Sequence, residues 1–294
     1  MEIKWQVEND SENNIKRFLA AKGVSHRLYS ELKRRGRILV DDQIVPFDFP
    51  LVSGSMLTVI FPPEGSDANV AGSDGEIVIV AETSHYLLLN KPAGLNTVPG
   101  PTNSTDTLVN RVKGHWRAVK SPDRKPHIIT RLDRFSSGLV LVAHDILTNN
   151  LFVQEQAQQR LEKIYLAVVA GELPDDHGVI DAPLAQAEDS FQQVVTANGK
   201  DARTEYWVIK RLPNATVVRV KLHTGRTHQI RAHFASIAHP LLGDELYQGP
   251  MDQGIERQAL HAWQLTFVEP YTGEEQSFTA PIPEDIATLI GTLD

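Results

Sequence analysis

The chain has 294 residues, of which 41% are hydrophobic and 22% charged, no cysteine, and a formal net charge of −8. This length predicts about two domains, and the missing cysteines exclude disulfides, thiolate zinc sites and iron–sulfur clusters. Neither a signal-peptide pattern nor a run of about 18 apolar residues is present, so we expect a cytoplasmic protein with no membrane partner.

The negative net charge hides a strong local asymmetry. Residues 111–134 contain eight basic and two acidic residues, a net charge of +6. Residues 244–294 contain one basic and ten acidic residues, a net charge of −9. A polyanion meets a local surface and not the total charge, so a nucleic-acid partner is compatible with this composition.

Residues 1–61 are predicted to form a small first domain with a strand, two helices and a small sheet. Asn13 and Asn14 can cap a helix over Ile15–Lys22, and Ser25 can cap a second helix that reaches Arg35. Short apolar runs at 38–40, 44–45 and 56–61 then predict strands. Residues 62–75 are rich in Gly, Pro, Ser and Asp, which predicts a linker and a second domain at 76–294.

The second domain alternates strand and helix patterns. A basic loop is expected at 114–125, where Trp116 could stack on a base or belong to the core. Thr227 is expected to cap a helix with Ile230, Phe234 and Ile237 on its apolar face. The other predicted elements are strands at 77–81, 86–90 and 163–171, helices at 107–113 and 148–160, a loop or hairpin at 183–200, and paired strands at 202–209 and 216–222.

Residues 127–145 are the most informative stretch. Two β-type runs flank a Ser/Gly turn, and Asp133 stands between Arg131 and Arg134 at the start of that turn. Neighbouring guanidinium groups favour an ionised carboxylate, which is then available as a nucleophile or base. A structural ion pair at a turn is the simpler interpretation of an isolated R-x-D-R.

Several motifs together resemble the RluA-type pseudouridine synthase family. R-L-D-R-x-S-S-G-L at 131–139 is similar to the family's R-L-D-x-x-T-S-G signature, with Ser136 in place of Thr and Thr130 where many members have His. T-G-R-T-H-Q-I-R-A-H follows at 224–233, and residues 1–61 resemble a small S-four-like RNA-binding module shared with a ribosomal protein. Further similar segments are K-P-A-G-L at 91–95, K-x-Y-x-A-x-x-x-G at 163–171, and residues 239–247 and 260–267, so the resemblance covers most of 77–283.

The resemblance implies an α+β fold with a mixed or antiparallel catalytic sheet and flanking helices. It also implies isomerisation of uridine in RNA to pseudouridine, without cofactor or metal. We expect the protein to be a monomer. Asp133 would be the catalytic carboxylate, Arg231 its ion-pair partner, and Tyr165 the residue that lines the uridine site. The implied RNA-binding residues are Arg131, Arg226, Thr227, His228, Gln229, Arg34 and Arg35.

Other functions fit the sequence less well. His223, His228 and His233 are five residues apart, which turns a helix by about 140° net, so they share no face for a metal. A glycosidase would need a second carboxylate motif as partner for Asp133. A non-catalytic RNA-binding assembly factor and an enzyme acting on transfer RNA instead of ribosomal RNA remain open. So does the choice between attack on the sugar and proton removal by Asp133.

Overall fold

The computed structural model describes residues 1–8, 14–65, 70–101, 103–120 and 125–294. The amino-terminal unit contains a four-stranded antiparallel sheet in the order β1-β4-β2-β3, covered by two helices. Asn14 and Ser25 cap the two helices as expected, whereas Asn13 lies outside the described residues. The elements are β1 (Glu2–Gln6), α1 (Ile15–Ala21), α2 (His26–Arg35), β2 (Arg37–Val40), β3 (Gln43–Ile44) and β4 (Met56–Ile60).

The rest of the chain builds a larger mixed sheet of ten strands. Its main path is β10-β13-β14-β9-β15-β8-β6-β5, with β16 paired to β15 and β7 paired to β8. Only the pair of β15 with β8 is parallel among the described strands. The strands are β5 (Ile79–Glu82), β6 (Tyr86–Lys91), β7 (His127–Ile128), β8 (Ser137–Ala143), β9 (Leu161–Ala170), β10 (His177–Asp181), β13 (Arg203–Leu212), β14 (Ala215–Leu222), β15 (Leu260–Val268) and β16 (Glu275–Thr279).

Four helices and a hairpin flank this sheet. The hairpin confirms one of the two predictions for 183–200. These elements are α3 (Leu108–Ala118), α4 (Ile146–Ala157), α5 (Gln229–Ser236), α6 (Glu284–Leu293), and the hairpin strands β11 (Leu184–Gln186) and β12 (Gln193–Val195). The predicted α+β fold with a mixed sheet and flanking helices is therefore confirmed.

The basic loop predicted at 114–125 is partly wrong. Helix α3 continues to Ala118, so Gly114–Ala118 is helical, and residues 121–124 lie outside the described part of the chain. Trp116 is 2% exposed and packs in the main core, so it offers no stacking surface. Full burial of an aromatic side chain stabilises the fold by about 1.5–3 kcal/mol, which explains why core packing decided its position.

The amino-terminal unit packs directly on the larger sheet's helix α4. Leu147 is fully buried in the core of the amino-terminal unit, with Leu151 packed against the same cluster. Gly23 has φ +84°, and a Cβ there would lie 2.3 Å from Leu151 Cδ2, so a larger residue would strain the backbone and force the Leu151 side chain to move. Asn150 Nδ2 also donates to Ser25 Oγ at 3.1 Å. The domain boundaries at 61 and 76 stay a prediction.

One face of the large sheet carries helix α5, and this packing locates the site. Ile230 and Phe234 of α5 lie in the main core cluster with Tyr165 of β9 and Leu132, the residue before Asp133. Three distant segments of the chain therefore share one buried cluster. No helix in the described ranges is long and apolar enough to cross a membrane.

Candidate active site

Asp133 lies in a loop between β7 and β8 that backbone contacts hold on both sides. The Thr97 hydroxyl donates to Leu132 O at 2.7 Å and accepts from Leu132 N at 3.3 Å. Gly94 N donates to Arg134 O at 2.8 Å. Because the residues before and after Asp133 are both anchored, its backbone has little freedom to move relative to the sheet.

Steric constraints explain why the signature motif has a glycine at position 138. Gly138, the second residue of β8, has φ +112°, and a Cβ at this position would lie 2.2 Å from Ala262 O. Strands β8 and β15 pair in parallel at this point, with Gly138 opposite Ala262. Only glycine lets the two backbones approach so closely directly behind the loop that carries Asp133.

Arg231 brings helix α5 and Asp133 together. Its Nη1 donates to Asp133 Oδ2 at 3.1 Å, while Nε and Nη2 donate to the two carboxylate oxygens of Asp244 at 2.7 and 2.8 Å. The Arg231 side chain is 7% exposed, that of Asp244 1% and that of Asp133 25%. The two-point contact with Asp244 fixes the guanidinium plane, so that one nitrogen points at Asp133.

The environment keeps Arg231 charged. Burial alone lowers the pKa of Arg231, but the hydrogen bonds and negative charges of Asp244 and Asp133 raise it overall above its usual value. Arg231 Cζ also lies 5.0 Å from the centre of the Tyr247 ring, a cation–π contact. The buried guanidinium of Arg231 therefore presents a fixed positive charge to the Asp133 carboxylate.

Tyr165 lines the same cleft from strand β9. Its side chain is 6% exposed, and burial, followed by the charge of Asp133, raises its pKa above the usual value. The phenol therefore stays neutral at physiological pH. The cleft has a volume of about 220 Å³. This is below the roughly 300–1,000 Å³ of pockets for drug-sized ligands, so it suits one nucleoside and not a length of strand.

The segment before α5 differs in part from the prediction. The residue that caps α5 is His228, at φ +53° and without a side-chain cap, so the prediction that Thr227 caps the helix is wrong. The helix ends at Ser236, and Ile237 follows it as the C-cap residue. Gln229, 2% exposed, accepts from Arg226 N at 2.9 Å and donates to Thr204 Oγ1 at 3.0 Å. The Gln229 side chain thus stabilises the conformation of the segment before α5.

His228 and Thr227 border the cleft together with Arg226. The Nε2 atom of His228 lies 3.8 Å from Asp133 Oδ2, and its Nδ1 atom lies 3.3 Å from the Tyr247 hydroxyl. Burial lowers the pKa of His228, an effect that the charge of Asp133 opposes. Arg226 Nε donates to Asp201 O, which turns this guanidinium along the rim.

The two arginines next to Asp133 in sequence do not pair with it. Arg134 lies over the Phe135 ring at 5.0 Å, and its Nε donates to Gly94 O. Arg131 is exposed at the mouth of the cleft and makes no ion pair with any residue that the structure describes. The flanking guanidiniums, expected to favour an ionised Asp133, therefore form no ion pair with it in the described structure, and its ion-pair partner comes from α5, 98 residues away.

Sequence reasoning missed Asp244 and Tyr247. Both lie in the segment 239–247, whose resemblance was visible, but no role was assigned to either residue. An aspartate followed three residues later by a tyrosine has no recognisable chemistry in sequence. Only the fold shows that Asp244 holds Arg231 and that Tyr247 lies over its guanidinium.

The two predicted RNA-binding residues of the amino-terminal unit lie apart from this cleft. Arg34 donates to both carboxylate oxygens of Glu31 at 2.7 and 2.8 Å on the exposed side of α2. Arg35 lines a groove between the amino-terminal unit and the large sheet. The cleft thus contains eight of the predicted residues and neither of these two; the eight are Arg131, Asp133, Tyr165, Arg226, Thr227, His228, Gln229 and Arg231.

Residues 85–236 match the sequence model of a family described as RNA pseudouridylate synthase. The matched range contains the Asp133 loop, Tyr165 and Arg231. The chain belongs to this family. The predicted relation to pseudouridine synthases and the prediction of an RNA pseudouridine synthase are thereby confirmed.

Known proteins are similar to this chain over most of its length. An uncharacterized RNA pseudouridine synthase, YjbO, of Bacillus subtilis is 34% identical over 94% of this chain and 98% of its own. The ribosomal large subunit pseudouridine synthase D of Nitrosomonas europaea is 35% identical over 81% of this chain and 71% of its own. Human RNA pseudouridylate synthase domain containing 4 shares the fold, with a TM-score of 0.61, 20% identity, and coverage of 74% of this chain and 92% of that one.

Proposed function

We propose that this synthase isomerises specific uridines in RNA with Asp133 as the catalytic carboxylate. The observation that carries the proposal is the 3.1 Å contact between Asp133 and a fully anchored Arg231 beside Tyr165 in a nucleoside-sized cleft. An acid that is oriented before the substrate arrives pays no reorganisation cost during the reaction.

The chemistry explains why these groups suffice. The N1–C1′ bond of uridine breaks, the uracil turns, and a C5–C1′ bond forms while C5 loses a proton and N1 gains one. Atoms and electrons balance within the nucleoside, so the reaction itself calls for no oxidant or co-substrate. It does call for a carboxylate at the ribose, and for walls that hold the detached base until it reattaches.

Tyr165 and Arg131 take supporting roles in the proposal. The neutral phenol of Tyr165 can stack on the pyrimidine and still donate a hydrogen bond. Arg131, exposed at the mouth of the cleft, would contact RNA while the target nucleotide leaves its stack, a step that costs a few kcal/mol. Arg226, Thr227 and His228 would contact the RNA at the opposite rim, whereas Gln229 would support them from below.

We further propose ribosomal RNA as the substrate. The curated relatives named for a target, such as the Nitrosomonas europaea protein, are named for the large ribosomal subunit. A resemblance of residues 1–61 to an S-four-like module supports the same class of RNA. Transfer RNA is the second candidate. A monomer acting in the cytoplasm without metal stays a prediction.

The test is to incubate the purified protein with large-subunit ribosomal RNA and with transfer RNA that lack modifications, then map pseudouridine at single-nucleotide resolution. The expected result is conversion at one or a few uridines in ribosomal RNA. Asp133→Asn should lose about 10⁴-fold or more in rate, the scale at which removal of a reacting group acts in other enzymes. Its RNA affinity should stay near the wild-type value. If Asp133→Asn still converted uridine, Asp133 would not be the catalytic carboxylate. If the wild type bound RNA but converted no uridine, the alternative of a non-catalytic assembly factor would be favoured.

A further inference from the structure

The groove between the amino-terminal unit and the large sheet is a second, separate cavity of about 1060 Å³. Arg27, Glu31 and Arg35 of α2 form one wall, and Lys125, His127 and the start of α4 form the other. Because α4 packs into the core of the amino-terminal unit through Leu147, the two walls keep a fixed separation. The groove is thus a fixed part of the fold.

The acidic side chains of the groove are already occupied. Glu31 accepts from Arg34 at 2.7 and 2.8 Å, and Glu64 lies 2.9 Å from His127 Nε2. Asp145 caps α4 by accepting from Thr148 N at 2.9 Å. Glu2 lies 3.7 Å from Lys4. Each carboxylate that lines the groove therefore has a donor or cation of its own.

Three cations of the groove, in contrast, have no partner among the residues that the structure describes. Arg27, Arg35 and Lys125 make no hydrogen bond or ion pair through their side chains with any residue in the described ranges. These guanidinium and ammonium groups are therefore available to contact an anionic ligand in the groove. Such a surface selects a polyanion whose charges are spaced along a chain.

The groove also offers an aromatic surface. His85 and Tyr271 stack with ring centres 3.9 Å apart and planes inclined by 21°. Thr148 Oγ1 lies 3.0 Å from the Tyr271 hydroxyl and fixes that ring. Stacked rings beside free cations are the combination that binds a nucleic-acid strand, because the cations contact phosphates while the rings accept bases. An acidic peptide would use the cations and leave the rings without a function.

The groove connects to the active-site cleft through a short piece of chain. Lys125 lines the groove and Arg131 lines the cleft, and six residues span at most about 20 Å. About six nucleotides of stacked strand, at roughly 3.4 Å each, cover this distance. We propose that the groove binds a strand of the substrate RNA that flanks the target uridine, so that Arg35, His85 and Tyr271 act as a second substrate site. The inference rests on the proposed function for the identity of the RNA.

The test compares the full-length wild type with the triple variant Arg27→Ala/Arg35→Ala/Lys125→Ala. The matched control is Lys33→Ala, an exposed cation of the same helix that does not line the groove. Two RNA probes are used: the large-subunit ribosomal RNA transcript, and a short hairpin with only the mapped uridine and its nearest neighbours. Affinity for each probe is measured over a range of salt concentrations.

The triple variant should bind the transcript about tenfold or more weakly, and the slope of log K against log salt should fall by about 2 for three lost phosphate contacts. Its turnover of the short hairpin should equal that of the wild type. Equal transcript affinity and slope in the triple variant and Lys33→Ala would overturn the proposal and leave the groove to another occupant. Binding does not depend on turnover, so a wild type that converts no uridine would refute the proposed function without deciding the groove.

A second measurement does not depend on substitutions. Ultraviolet irradiation of the full-length protein with the transcript should crosslink RNA to the peptides that carry His85 or Tyr271, and the short hairpin should not. Crosslinks confined to peptides of the cleft with both probes would also overturn the proposal.

Discussion

The active-site cleft and the groove between the amino-terminal unit and the large sheet use the same residue types in opposite ways. In the cleft, Arg231 is 7% exposed and its donors are shared between Asp133 and Asp244. In the groove, Arg27, Arg35 and Lys125 have no partner among the described residues. The cleft holds a charge in a fixed direction, as catalysis requires. The groove keeps its charges free for phosphates, as binding requires. Burial thus distinguishes a guanidinium that orients an acid from one that attracts RNA.

The largest effect is expected when Arg231 loses its contact with Asp244. Asp244→Asn keeps the shape of the side chain but removes the charge that holds Nε and Nη2. Because Arg231 then loses its fixed direction, kcat should fall by about 10²-fold, the cost of a misplacement near 1 Å. The unfolding free energy should fall by about 3–5 kcal/mol, since a buried cation loses a buried partner. Single-turnover kinetics on the short hairpin and thermal unfolding measure the two effects.

Asp252→Asn is the control for this prediction, because Asp252 is an exposed aspartate close to the same loop. It should leave both kcat and the unfolding free energy unchanged. Wild-type turnover by Asp244→Asn would mean that the anchoring of Arg231 has no part in catalysis.

A smaller effect is expected at Arg131, which lies in the cleft but resembles the groove cations in its exposure. Arg131→Ala should weaken binding of the short hairpin about tenfold, the contribution of one charge-assisted hydrogen bond. Its effect on kcat should be smaller than that of Asp244→Asn. Lys33→Ala again serves as the control. A large loss of kcat with unchanged affinity would place Arg131 with the catalytic groups and not with the binding groups.

A pH-dependent effect on stability concerns Lys91, a fully buried lysine behind the Asp133 loop. Its Nζ donates to the carbonyls of Pro92 and Leu95 at 2.8 Å and of Arg134 at 3.1 Å. Burial lowers the pKa of Lys91 to about 7, against the opposing charge of Asp133. Between pH 7 and about 10.5 the unfolded chain therefore binds more protons than the folded protein, and stability rises with pH.

Lys91→Met removes this titration. The difference in Tm between the wild type and Lys91→Met should shift in favour of the wild type as the pH rises from about 7 to 10. Parallel Tm curves over this range would show that the amine keeps its proton in the folded state.

Much of the fold followed from local patterns. Caps at Asn14 and Ser25 begin the first two helices as predicted, because capping depends on neighbours in sequence. The paired strands at 202–209 and 216–222 were predicted from alternation and form β13 and β14. The end of α3 was missed, since the apolar contact of Trp116 with the core outweighs the loop-like appearance of its basic neighbours.

The family, the α+β class and the residues of a candidate site could be predicted from the amino-acid sequence, because the motifs that indicate them are contiguous along the chain. Which guanidinium faces Asp133 depends on the packing of distant segments. Arg131 and Arg134 are nearest in sequence, yet neither pairs with Asp133, and packing of α5 against Leu132 and Tyr165 places Arg231 there instead. Nor could any local pattern show that Asp244 holds Arg231 or that α4 sets the width of a second groove. Electrostatic partners are chosen by distance in space, and the chain's path through the core sets that distance.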